Sequence, residues 1–177
     1  MADLMTHLAT GLVCKGATRG RYTSVLLAGT VLPDVGARVP ALMFSALGKA
    51  GIETPHELTF AFEILHMPIG ILLVCYALSL CFVASLRRPV FTNLLAGATL
   101  HLLLDLAQGH LGVGYLLAYP FSTVDFEFGW IGTEATVKIA PVVFSLSLLF
   151  WWFRRGSQPH LAEPPEHHLG TEQKPLE

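Results

Sequence analysis

The stretch LAGATLHLLLDLAQGHLGVGY, residues 95–115, decides how this chain is read. It begins as an apolar helix, yet His101, Asp105 and His110 stand among its leucines. His101 and Asp105 are four residues apart, so they share one helix face, one turn from each other. A carboxylate at the centre of a membrane helix costs roughly 2.5–3.5 kcal/mol on insertion scales, so such a pair faces a partner or a cavity rather than lipid.

The rest of the chain fits a membrane setting. Its 177 residues are 53% hydrophobic and only 14% charged, against about 25% charged in an average soluble domain. Mean hydropathy is +0.55. The length suits one domain, and a net charge of −2 gives no basic footprint for nucleic acid. Cys14, Cys75 and Cys81 all lie in apolar segments without a C-x-x-C pair, so they read as small apolar residues. No cation precedes Lys15, and no cleavable signal peptide is expected. The expected fold is all-α: a polytopic helical membrane protein of about four to five membrane helices, the N-terminal ones short. It occupies residues 1–155, and 156–177, rich in proline and acids, is expected to be a disordered cytoplasmic tail.

Working outward, residues 64–86 form an apolar run without formal charge, closed by Arg87 and Arg88. About 20 such residues cross a bilayer core. Pro89 is expected to break the helix, with a second span over about 90–108. A third span covers 137–153 and ends in Trp151 and Trp152 ahead of Arg154 and Arg155, an interfacial aromatic pattern. If all three cross, both arginine pairs fall on one side, which the positive-inside rule makes cytoplasmic. Residues 109–135 and residue 63 then lie outside. At the N-terminus, residues 4–14 and 23–33 are shorter apolar runs around Lys15, Arg19 and Arg21. Eleven helical residues rise about 16 Å, so these read as a short pair dipping to mid-membrane. Residues 38–55 read as an amphipathic stretch and a loop.

This topology gathers ionisable groups at one level. Glu63 and His66 open the first clear span, His101 to His110 approach the end of the next, and His7 and Asp34 fall on the same side. Asp3 is four residues from His7. Imidazole and carboxylate ligands of this kind suit zinc, manganese or iron, and facing helices can build such a site between them. A structural polar network and a proton or ion path are the alternatives. The loop YPFSTVDFEFGWIGTE, residues 119–134, reads either as an interfacial lid meeting membrane lipid or as an aromatic anchor with solvated acids.

In order, THLATG (6–11), LAGTVLPDVGAR (27–38), LHMP (65–68), HLLLDLAQGH (101–110) and YPFS (119–122) form a recognisable series. The series resembles a family of bacterial inner-membrane proteins described as membrane-bound metal-dependent hydrolases, which are distantly similar in these motifs to zinc-dependent phospholipase C. The resemblance covers roughly residues 3–123. It implies His7, Asp34, His101 and Asp105 as metal ligands, with His66 matching the family's central histidine. The chain departs from the family there: the usual motif has two histidines, of the form His-Arg-Gly-x-Thr-His-Ser, and AFEILHMP has one. Glu63 then stands as replacement ligand or catalytic base, with Asp3 and His110 as additional ligands or supporting groups. The function implied is a membrane-embedded hydrolase with a divalent metal, zinc foremost, acting on a lipid or phosphoester at the outer side of the bacterial inner membrane. A non-catalytic metal-binding protein, or an ion or proton conductor, is the alternative; a conductor of this size would need to form a homo-oligomer.

Overall fold

The computed structural model describes residues 4–18, 22–55, 58, 61–62, 64–109 and 114–156. The fold is all-α. Among the described residues there are five α-helices: α1 (Leu4–Thr18), α2 (Thr23–Lys49), α3 (Pro68–Leu80), α4 (Ala84–Ala107) and α5 (Thr133–Gly156). Three carry stretches long and apolar enough to cross a membrane, Thr23–Lys49, Ala84–Ala107 and Val137–Arg154, and Pro68–Leu80 is a shorter apolar helix. Only 11% of the α5 stretch is buried, so most of this apolar helix faces outward, as a helix solvated by lipid does.

The central helix is α4. It packs against α2, α3 and α1, while α5 lies mainly along α1. Ile71 and Cys75 of α3 meet Val90, Leu94, Ala98, Leu102 and Leu106 of α4 in the apolar core. The α2–α4 crossing is unusually close. A Cβ on Gly29 would lie 2.3 Å from the Leu94 carbonyl oxygen, and one on Gly97 would lie 2.2 Å from that of Leu26. Small residues let helix backbones touch in this way. The contact sets the height at which the polar groups of α2 face those of α4.

Several sequence expectations are corrected. The run 64–86 is not one helix. A 3₁₀ turn, Ile64–His66, leads through extended Met67 (φ −108°, ψ 144°) to Pro68 at the first turn of α3. A residue before proline is pushed out of the helical region, so the helix can only start at the proline. α3 ends at Leu80, and after residues 81–83 α4 begins, so Arg87, Arg88 and Pro89 lie in its first turns. Pro89 does not break the helix, because so near the start it removes a single ladder bond.

The second correction concerns 23–55. Instead of a short helix and a loop, α2 runs unbroken for 27 residues, with Pro33 and Pro40 inside it. Packing on α4 outweighs the bonds the prolines remove, as membrane helices commonly tolerate. Its end is a glycine cap: Gly51 has φ 78°, Ile52 N–H donates to Leu47 O, and Gly51 N–H donates to Gly48 O. That is the Schellman arrangement. The 90–108 and 137–153 expectations correspond to α4 and α5. The tail beyond Gly156 lies outside the described residues.

Between α4 and α5 the described residues of the connection tie to one another and, through Tyr115, to Asp105 of α4. Gln108–Gly109 pairs in parallel with Ile131–Gly132. Tyr115 and Phe126 exchange backbone hydrogen bonds of 3.0 Å, and Gly114 N–H donates to Asp125 Oδ2.

Candidate metal centre

His7, Asp34, His66, His101 and Asp105 come from α1, α2, the 3₁₀ turn and α4, and all five are buried. They form two overlapping groups, His7–His101–Asp105 and Asp34–His66–His101; within each, one potential ligand atom per residue lies within 4.8 Å of the others. His101 belongs to both. Its Cα lies roughly 26 Å along α4 from the helix start at 1.5 Å per residue, near the far edge of a 30 Å hydrocarbon core.

The protonation of His101 follows from its partner. Its Nδ1 is 2.8 Å from the Thr30 carbonyl oxygen. A carbonyl only accepts, so Nδ1 carries the proton and donates. Nε2 of the neutral ring is then a lone pair, and it lies 3.2 Å from Asp105 Oδ2 without a hydrogen bond. Two acceptors facing each other in a buried site repel unless a cation, either a proton or a metal ion, lies between them. A metal-binding histidine is typically held in this way, with its other nitrogen on a carbonyl.

His7 shares the carboxylate half of this pattern. Its ring stacks on His101 with centroids 3.7 Å apart and planes at 14°, and its Nε2 lies 3.3 Å from Asp105 Oδ1. Neither His7 nitrogen is hydrogen-bonded. Two stacked imidazolium ions would repel strongly at low dielectric, so one shared cation suits the pair better than two protons. Asp105 is further fixed by Tyr115, whose hydroxyl donates to Oδ2 at 2.8 Å. Tyr115 lies in the loop beyond α4, and burial, then the Asp105 and Asp34 carboxylates, push its phenol well above its usual range. It stays a neutral donor.

The second group has the same unfinished character. His66 Nε2 is 3.8 Å from Asp34 Oδ1, and neither Asp34 oxygen makes an aligned hydrogen bond. Arg38, one turn along α2, brings its Nε to 3.1 Å from Asp34 Oδ1 and is 43% exposed at its side chain. The His66 ring lies 5.5 Å from that of His101 and 6.2 Å from that of Tyr115. Buried nitrogen and oxygen atoms without hydrogen-bond partners, clustered at ligand distances, fit a divalent cation by donor type.

All five residues expected as ligands are therefore brought together. Glu63, expected as the base, and Asp3 and His110, expected as additional groups, lie outside the described residues. Sequence reasoning missed the Thr30 carbonyl, Tyr115, Arg38 and Gln108. Arg38 had a signal, its four-residue spacing from Asp34, and so did Gln108, which continues the His101–Asp105 stripe. A backbone carbonyl had none. No protein-family model, curated protein or solved structure matches the chain.

Proposed function

We propose that this chain is a membrane-embedded, divalent-metal-dependent hydrolase of phosphoester substrates, with a lipid headgroup as the natural target. The observation that carries the proposal is the Nδ1-donating His101, whose buried Nε2 faces a carboxylate beside a stacked second imidazole. His7, His101 and Asp105 would hold the ion, with Asp34 and His66 completing or extending its ligand set. Zinc is the first choice for such a set, followed by manganese and iron. When bound, the ion polarises a phosphoryl oxygen and makes water a better nucleophile near neutral pH.

The remaining work falls to this chain's own groups. Where His7, His101 and Asp105 alone hold the ion, Asp34, grouped with His66 and His101, would accept a proton from attacking water. Arg38 offers positive charge at the partly exposed edge of the site, complementary to a phosphate. Exposed Phe121, Val124 and Trp130 on the connecting loop suit contact with the membrane interface. By the positive-inside reading the site belongs to the outer leaflet side of a bacterial inner membrane, and the tail to the cytoplasm. The backbone contact at Gly29 and Gly97 weighs against a conduit between α2 and α4. A closed, structural metal is the competing reading, and the near-complete burial of the ligands supports it.

The test is a phosphomonoester and phospholipid screen of purified protein loaded with zinc, manganese or iron, beside Asp105→Asn. Metal-dependent turnover lost in Asp105→Asn is expected. Metal bound stoichiometrically with no turnover on any substrate would favour the structural reading.

A further inference from the structure

Gln108 is fully buried, yet both its amide oxygen and its amide nitrogen lack a hydrogen-bond partner. This is a costly arrangement: an unpaired buried polar group gives up its hydration and gains no hydrogen bond in exchange, and natural structures rarely keep one without a use. Its place in the fold suggests the use. Gln108 caps α4, with its N–H on the Asp105 carbonyl, so the helical path still holds at its Cα. His101, Asp105 and Gln108 stand at i, i+4 and i+7, a single stripe. All three are at most 1% exposed. The next residue, Gly109, is tied into the short sheet with Gly132.

We infer that Gln108 is a substrate-binding residue of the site, its amide N–H donating to a phosphoryl oxygen held there. The inference rests on the metal-dependent phosphoester reading above and adds the residue that recognises the substrate. An amide both donates and accepts, which matches a phosphomonoester near neutral pH, where oxyanion and hydroxyl forms coexist. A neutral amide also leaves the charge balance of the ligands unchanged, and Arg38 supplies the cation at the edge. A purely structural glutamine would have its amide satisfied by the protein. This one gains its partner with the ligand.

The experiment uses the full-length, zinc-loaded protein in detergent. Zinc content, the unfolding midpoint without ligand, and calorimetric binding of two probes are measured for wild type and Gln108→Met. The probes are inorganic phosphate and a short-chain phosphatidic acid. Methionine keeps the volume and removes both polar atoms. The expected result is unchanged zinc content, an unfolding midpoint equal to or above wild type, and phosphate binding weakened about tenfold or more. Loss seen with both probes identifies the phosphoryl group itself as the ligand; loss seen only with the lipid probe identifies a headgroup. Unchanged binding of both probes in Gln108→Met overturns the inference alone. So does a lowered midpoint, which would make Gln108 a structural amide. A wild-type protein that takes no zinc, or binds neither probe, overturns the hydrolase reading and this inference together.

Discussion

Gly97→Ala is the sharpest structural perturbation of the site, although Gly97 supplies no ligand atom. A Cβ there would lie 2.2 Å from Leu26 O, 2.8 Å from Thr30 N and 2.9 Å from Gly29 C. All three are backbone atoms, so no side chain can move aside. Restoring ordinary contact needs α2 and α4 to part by about 1 Å, since close-packed interiors leave no slack. The same shift would carry Thr30 O from 2.8 Å beyond hydrogen-bond range of His101 Nδ1. Overpacking costs about 1–3 kcal/mol, and the lost hydrogen bond about 1 kcal/mol more. Freeing the His101 ring should weaken metal affinity roughly 10–100-fold, as other losses of a ligand's supporting partner do. Gly48→Ala is the control: nothing lies within 4 Å of its Cβ position, and alanine is the better helix former by up to about 1 kcal/mol. Thermal unfolding in detergent and zinc competition against a chelator measure both quantities. Wild-type stability and zinc affinity in Gly97→Ala would refute the account of how the crossing positions His101.

Other outcomes are expected. Tyr115→Phe removes a charge-assisted donor to Asp105 and should cost about 1.5–3 kcal/mol in unfolding experiments. Because the fold raises the Tyr115 pKa, its contribution to stability is fully present below the unfolded value of about 10 and is lost as pH rises past it; an ultraviolet titration should show one phenol fewer ionising near pH 10 in wild type than in unfolded protein. Chelator treatment should lower the unfolding midpoint of the metal-loaded protein by linkage, and metal binding should release protons and weaken as pH falls, as calorimetry in buffers of different ionisation enthalpy would detect. At the other end of α1, buried Lys15 places Nζ 3.3 Å from Asn93 Oδ1. Asn93→Leu removes this acceptor and should destabilise by about 1–3 kcal/mol in thermal unfolding, with little change in zinc affinity.

The sequence made the ligands legible because burial of charge among leucines is expensive and therefore informative. His101 and Asp105 declared themselves through helical spacing, and His7 and Asp34 through their place at the same inferred level. The helix ends were less legible. Pro89 is read as a breaker and 23–33 as a short helix from local rules, but Pro89 falls in the first turns of α4 and packing carries α2 on through Pro33, whereas Pro68 does start its helix. The depth of α2 followed from Gly29 and Gly97, whose meaning depends on a partner helix that no local pattern names. The Thr30 carbonyl, which sets the tautomer of His101, belongs to the backbone and leaves no mark in the residue string. Gln108 was visible as the seventh residue after His101, but an uncharged amide in a helix end carries no cost until its burial is known.

The most direct test of the central claim is metal content by mass spectrometry on detergent-purified protein, with wild type beside the His101→Ala/Asp105→Ala double variant. The account predicts near-stoichiometric zinc, manganese or iron in wild type and its loss in the variant. Absence of metal from wild type after reconstitution with each ion, with the variant merely less stable, would contradict it and leave His7, His101 and Asp105 as a protonated structural network.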